Sequence, residues 1–360
     1  MESLKENDFK IKTSNFTYIT TSKKSENGLL INNALSRKSI ELDLLIIRLL
    51  EFLNNYRTKN EILEFCKNDL NISKDNSEEI INYLLENRYL TREGDLMENR
   101  SNHWISCNWG SSLLYHQSTY DHPVLDYSTA EAYTRDQEAM KEYKETSNEP
   151  SIYKTFDDYI EEIKLPSPLN VDVPYEEVLV NGSNLHEEVN IDKLSTILFY
   201  TYGEISNIKF PVTQRLLRRT SPSGGARHPS ECYLAIFDVE GLKPGLYHYS
   251  VKNHSLVLLK NKQLKSFCIE HCYGLRDYNN PRIVFFHTSI FERNWWRYRE
   301  PKTYKVIYYD FGHILFNFRL ITTALSLSTY TIGSGVNDSE IENLLNINGY
   351  KEGILYFTAI

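Results

Sequence analysis

A chain of 360 residues with 41% hydrophobic and 24% charged side chains carries enough apolar material for a buried core, which excludes a largely disordered or collagen-like polymer. Its formal net charge of −8 argues against a general polyanion-binding surface, because neutralising phosphates requires clustered Lys and Arg, and no nucleic-acid partner is expected. No run approaches the roughly 18 apolar residues needed to span a bilayer, the N-terminal MESLKENDFK lacks the apolar centre of a secretory signal, and the five cysteines are odd in number and scattered, so a cytoplasmic chain with no membrane partner and no disulfide framework is expected.

In chain order, Phe16-Thr17-Tyr18-Ile19-Thr20 has the composition of a short strand. From Ser39 to Leu53, apolar residues at Leu42, Leu45, Ile46, Leu49, Leu50 and Leu53 follow the rhythm of an amphipathic helix. A second helix fits Lys59 to Cys66. A third fits Ser77 to Asn87, with Ser77 as N-cap and Ile80, Ile81, Leu84 and Leu85 turned inward. Tyr89-Leu90-Thr91 before Gly94-Asp95 reads as a strand entering a hairpin turn. Residues 1–100 therefore suggest a winged-helix-like module. Its helices carry Glu61, Glu64, Asp69, Glu78, Glu79 and Glu86, and acidic faces repel phosphate, which leaves peptide docking or a structural role.

Residues 101–174 form an aromatic and charged linker region, with a helix at Ala130 to Lys144 and an extended LPSPLNVDVP run. Trp104, Trp109, Tyr115 and His116 are candidates either for lining a substrate channel or for packing the linker. From 175 to 360, helices at Ile191–Tyr202, Phe311–Leu327 and Ser339–Leu345 alternate with strands at Glu231–Val239, Leu246–Tyr249, Arg282–His287 and Ile354–Ala359, an α+β pattern.

The most specific segment is Arg218-Arg219-Thr220-Ser221-Pro222-Ser223-Gly224-Gly225-Ala226-Arg227-His228-Pro229. A turn with paired glycines lets backbone N–H groups approach a ligand, and flanking arginines add charge-assisted donors, although Pro-Ser-Gly-Gly is also an ordinary surface turn. Cys268 and Cys272 stand one helical turn apart, but the four ligands of a structural zinc are missing, so no metal is expected. Gly-x-Ser-x-Gly is absent, which removes a serine-hydrolase elbow.

The block RRTSPSGGARHPSE, then GLKPGLYHYSVKNHSLVLL, YYDFGHILFNFRLITTALSLS and VNDSEIENLLNINGYKEGILYFTAI resembles, over residues 175–360, the SagB/ThcOx-type FMN-dependent branch of the nitroreductase superfamily. That resemblance implies an α+β, nitroreductase-like fold, with a central, mostly antiparallel sheet flanked by helices, and a homodimer holding FMN at its interface. By position, Arg218, Arg219, Ser221, Pro222, Ser223, Gly224 and Gly225 would lie along the flavin, His228 would close the turn, and Gly333 and Gly335 would approach from the C-terminal part. The resemblance also implies a precursor-peptide partner, with its leader at the N-terminal module, and other peptide-modifying enzymes as associates.

Two departures from the family pattern stand out. Where an arginine-rich phosphate clamp is usual, the chain has Asn181-Gly182-Ser183-Asn184-Leu185-His186, which shifts the expected phosphate contacts to Arg215, Arg218, Arg219 or the partner subunit. Where azoline oxidases carry a Lys-Tyr pair, it has Trp296-Arg297-Tyr298. Arginine cannot serve as a base, whereas lysine tuned by burial can. Arg297 as a charge stabiliser and Tyr298 as a proton donor suit reduction of dehydroalanine in a lanthipeptide-like precursor, with NAD(P)H as candidate electron donor. If Lys302 or Lys305 is the functional base, azoline-to-azole oxidation fits instead. A non-catalytic peptide-binding scaffold is the third reading. His313 is a candidate acid or a packing residue.

Overall fold

The computed structural model describes residues 9–22, 28–41, 43–121, 128–180, 188–209, 212, 215–278, 280–331 and 335–360. The chain divides into two compact units, Met1–Val124 and Leu125–Ile360. Residues 101–174 do not form a body of their own, because their helices are shared between the two units.

The first unit begins with strands β1 (Lys10–Thr13), β2 (Thr17–Thr21), β3 (Leu29–Asn33) and β4 (Lys38–Glu41). There follow α1 (Leu44–Phe52), β5 (Arg57–Thr58), α2 (Lys59–Asn68), α3 (Lys74–Glu86), β6 (Leu90–Arg92), α4 (Leu96–Ser106) and α5 (Gly110–Ser118). The three expected helices are present with corrected starts. Residues 38–41 pair with β3 instead of opening α1, and Asp43 caps that helix by accepting from the Leu45 N–H. Thr58 and Glu61 form a reciprocal capping box on α2. Ser73, not Ser77, caps α3; Ser77 lies buried inside the helix and donates to the Ser73 carbonyl.

The expected hairpin after β6 is not formed. β6 pairs antiparallel with β1 in a sheet ordered β5-β1-β6, and Asp95 caps α4 where a returning strand was expected. A wing needs two successive strands, and the acceptor-rich Asp95 favours a helix start. Ile11, Leu49, Leu53, Ile62, Ile81 and Leu84 form the core here. The rings of Trp104, Trp109 and His116 pack on one another within this unit, with Trp104 and His116 stacked at 5.3 Å.

The second unit contains α6 (Ala130–Thr146), β7 (Glu161–Lys164), α7 (Tyr175–Val180), α8 (Ile191–Tyr202), β8 (Glu204–Lys209), β9 (Arg215–Arg219), β10 (Ser230–Ile236), β11 (Gly245–Ser250), β12 (Ser255–Lys260), α9 (Lys265–His271), β13 (Ile283–Ile290), α10 (Glu292–Trp295), α11 (Thr303–Ala324), α12 (Asp338–Leu345) and β14 (Glu352–Ala359). Six of its strands form one antiparallel sheet in the order β14-β13-β10-β11-β12-β7, while β8 and β9 make a separate ribbon.

Every residue of β10 is buried, because both faces of the sheet are covered. Cys232, Leu234 and Ile236 enter one core with residues of α8 and α11, and the alternate Tyr233, Ala235 and Phe237 enter a second with residues of α9 and α12. This period of two explains why a central strand reads as a continuous apolar run. The fold is the α+β arrangement with an antiparallel sheet that the resemblance implies.

Candidate active site

The Ser221–Pro229 turn joins β9 to β10 and is held by one face of α11. Asp310, His313 and Asn317 recur at helical spacing. Asp310 accepts from the Ser223 hydroxyl at 2.6 Å and from the Gly224 N–H at 2.8 Å. Asn317 donates to the Ser221 hydroxyl at 2.9 Å, and the His313 Nδ1 stands 3.3 Å from the Pro222 carbonyl. Ser223 in turn accepts from the His228 N–H, and Ser221 donates to the Thr201 carbonyl. Burial raises the pKa of Asp310, against the opposing pull of its two hydrogen bonds.

Much of the turn's backbone is used to hold the turn itself. The N–H groups of Gly224, Ala226, Arg227 and His228 all meet acceptors within the turn or on α11, so these four are committed to the protein itself. The glycines matter for space. A Cβ on Gly224 would lie 2.4 Å from a Val306 methyl, and one on Gly225, whose φ is +59°, would lie 2.0 Å from the Tyr298 hydroxyl oxygen.

Beneath the turn lies a buried charge network. Arg219 is 7% exposed and donates through Nη1 to the Ser230 carbonyl at 3.4 Å. Its Nε and Nη2 have no partner among the described residues. Burial pushes the Arg219 pKa down to about 10, with Glu231 opposing. Arg293 binds Glu231 at 2.5 Å, the His228 carbonyl at 3.0 Å and the Ser151 carbonyl at 2.9 Å. The His248 Nε2 lies 2.9 Å from the other Glu231 oxygen. Burial alone would raise the Glu231 carboxyl, but Arg293 and the hydrogen bond with His248 hold it well below the usual carboxylate range. Two guanidinium groups thus face one carboxylate, and unsatisfied donors on Arg219 suit an anionic or carbonyl-rich edge.

Two buried histidines are neutral. Burial, with Arg219 nearby, lowers His228 to about 3, and its Nε2 donates to the Leu217 carbonyl at 2.9 Å. Burial alone lowers His287 to about 3. Both folded values lie below the unfolded value of about 6.5. The unfolded chain therefore binds more protons below pH 6.5, and stability falls as pH drops toward 3, by about 1.4 kcal/mol per pH unit for each histidine. Asp310 acts in the opposite sense. The melting temperature of the second unit should be clearly lower at pH 5 than at pH 7.5; a flat profile by calorimetry would refute the neutral assignment.

Arg297 and Tyr298 follow α10. The Arg297 guanidinium stands 4.7 Å over the Tyr298 ring, and its Nη2 meets both oxygens of the buried Asp136, on α6, at 2.6 and 2.7 Å. Asp136 had no sequence signal, and it balances the charge the sequence reading assigned to a reaction intermediate. Tyr298 also lines a cavity of about 590 Å³. Neither Lys302 nor Lys305, at the start of α11, lines that cavity.

Other sequence candidates fall elsewhere. Arg215 and Arg218 are exposed on β9, and Pro222 is exposed on the turn. Gly335, at φ +85°, accepts from the Tyr273 N–H beyond α9. Gly333 and the 181–186 segment lie outside the described residues. Cys268 and Cys272 are buried in the second core, and among the described residues no group of three metal-ligating side chains comes together. None of the described helices is long and apolar enough to cross a membrane.

An antiparallel sheet between helical layers, with a Ser-Gly-Gly turn pinned against the long helix, defines a nitroreductase-like domain. No family model matches the chain. The trifolitoxin-processing protein TfxB of Rhizobium leguminosarum bv. trifolii is 33% identical over 175 residues, 48% of this chain and 47% of that protein. A nitroreductase of Methanocaldococcus jannaschii is 29% identical over 195 residues, 53% of this chain and 88% of that protein. The crystal structure of a nitroreductase from Anabaena variabilis aligns with a TM-score of 0.47 and 22% identity, over 63% of this chain and 45% of that one. The chain resembles the SagB-type branch of the nitroreductase superfamily, and spans about half the length of TfxB.

Proposed function

We propose that the protein is an FMN-dependent oxidoreductase that tailors a ribosomally made peptide by reducing a dehydroalanine. One observation carries the reading: the Tyr298 hydroxyl abuts the Gly224–Gly225 turn at an aromatic cavity, which sets a weak acid beside the segment that carries the flavin-family resemblance. Arg219, with two unsatisfied buried donors, and the Ser221–Gly225 turn fit the flavin, and exposed Arg215 and Arg218 are the cations offered to its phosphate. When bound, the flavin supplies two-electron chemistry, with a reduced nicotinamide as electron source.

Conversion of dehydroalanine to alanine adds two electrons and two protons across the Cα=Cβ bond. Tyr298 delivers the proton to Cα and recovers one from solvent. Arg297, already paired with Asp136, is a positioning residue that fixes the phenol ring from one face. Among the described residues no lysine lines the cavity, which favours reduction over removal of an azoline Cα proton.

Leader-peptide docking is assigned to residues 1–100, where β5 and β6 are open sheet edges able to pair with an extended segment. Exposed apolar side chains at Leu179, Ile205 and Phe316 support a homodimer.

The test is mass measurement on a dehydroalanine-containing peptide with FMN and reduced nicotinamide, where a gain of two hydrogens is expected. Loss of two from an azoline peptide in air would reverse the direction, and a chain that neither binds FMN nor is stabilised by it would be a scaffold. Tyr298→Phe should lower turnover about 100-fold, the scale of general-acid catalysis, while keeping its flavin absorbance. Full activity in that variant would remove Tyr298 from the mechanism.

A further inference from the structure

Asn294 is a buried polar residue that the proposed reaction does not use. It lies in α10, is 1% exposed, and among the described residues neither its Nδ2 nor its Oδ1 has a hydrogen-bond partner. Folded interiors nearly always match such groups, so an unmatched carboxamide calls for an explanation. Asn294 lines the cavity of about 590 Å³ with Phe291, Trp296, Tyr298, Tyr304 and Ile307. Its wall also carries Ser147, Glu292, Arg299, Glu300 and Thr303, and that volume, with aromatic and apolar surface beside a few polar groups, is that of a ligand pocket.

A carboxamide presents one acceptor and one donor side by side. Its complement is an N–H and a C=O pointing the same way, as they do on a single residue of an extended peptide. We infer that Asn294 grips the backbone N–H and C=O of one residue of the substrate peptide, whose aromatic or large apolar side chain fills the cavity. The inference rests on the peptide-tailoring reading above and deepens it. Because Tyr298 borders both the cavity and the Gly225 turn, the gripped residue flanks the one being reduced. Specificity then resides in that neighbour, which is read by shape, while a main-chain grip tolerates any sequence there. The imide edge of a flavin offers the same donor and acceptor pattern, so the test must separate the two sources.

The probe is N-acetyl-phenylalanine methylamide, compared with its N-methyl analogue, which lacks the backbone N–H. Binding to the full chain is followed by ligand-observed NMR, with and without FMN. Wild type should favour the N–H probe about tenfold, since the analogue leaves the buried Asn294 acceptor unmatched. Asn294→Leu should erase that preference, keep its flavin absorbance and melt no lower than wild type, because it removes two unsatisfied polar atoms. Equal binding of both probes, a preference that survives in Asn294→Leu, or no binding at millimolar concentration would overturn the inference. So would loss of FMN from Asn294→Leu, which would assign the carboxamide to the flavin. The probe is saturated and undergoes no reaction, so the result stands apart from whether dehydroalanine is reduced; binding without turnover would fail only the proposed reaction.

Discussion

Gly225→Ala should reduce turnover of a dehydroalanine peptide about 100-fold while lowering stability only modestly. Two costs are expected, and they differ in kind. The first is backbone strain, because a residue with a Cβ at φ +59° gives up about 1–2 kcal/mol relative to glycine. The second is contact. The new methyl would stand 2.0 Å from the Tyr298 oxygen and 2.8 Å from its Cζ, so something must move. The phenol is the far end of a side chain and yields more readily than the turn, whose atoms are tied to Asp310 and Asn317. Displacing a reacting group by about 1 Å can cost 100-fold in rate.

Gly241→Ala is the matched control. Its φ is +81°, and a Cβ there would meet nothing within 4 Å. It should show the strain cost without loss of turnover. Steady-state kinetics and thermal melts on the two variants separate the contributions. If both variants lose activity equally, or Gly225→Ala loses less than about threefold, the Tyr298 hydroxyl is not at the reacting centre.

What the sequence made legible follows physical range. Helices governed by local periodicity were found nearly whole: Ile191–Tyr202 matches α8 end to end, and the 130–144 stretch falls within α6. The long helix begins at Thr303, ahead of the Phe311 start that its periodicity predicts. Thr303–Asp310 exposes Tyr304, Tyr308 and Tyr309, which mask the amphipathic rhythm expected of a helix. β7, β8, β9 and β12 are not legible in the sequence; β7 has only four residues and pairs with β12 across about 90 positions, and β9 is arginine-rich.

The turn was legible as a motif, but the network beneath it was not. Glu231, His248 and Arg293 meet only because β10, β11 and α10 are brought together by the sheet and its exit. The one local hint was a charged or polar residue inside an otherwise apolar strand, as Glu231 stands in ECYLAI and His287 in IVFFHTSI. Buried polar groups need partners, so such residues predict that a network exists without naming its members. Asp136, on a helix more than 150 positions from Arg297, shows the same limit.

Arg293→Met tests whether that network supports the site or merely fills it, and its expected effect on stability is the largest. Glu231 is 2% exposed and its carboxylate depends on Arg293 and His248. Removing one partner of a buried pair leaves an uncompensated charge, which costs about 3–5 kcal/mol; for a unit of this size that is a fall in melting temperature of roughly 10 °C. Arg293 also holds the His228 and Ser151 carbonyls, so the turn loosens with it. Adding Glu231→Gln should recover part of the loss, because the neutral amide needs no counter-charge. The pH dependence supplies an independent check. With Arg293 present the folded carboxyl lies below its unfolded value, so its support is present above about pH 4.5 and is lost as pH falls. Without Arg293, burial dominates and the folded value rises above the unfolded one, so the variant gains stability on acidification relative to wild type. The gap between the two melting curves should therefore narrow from pH 8 to pH 5. A gap that stays constant, or one below about 1 kcal/mol, would show that Arg293 does not compensate Glu231 and that the positive surplus assigned to Arg219 is misjudged.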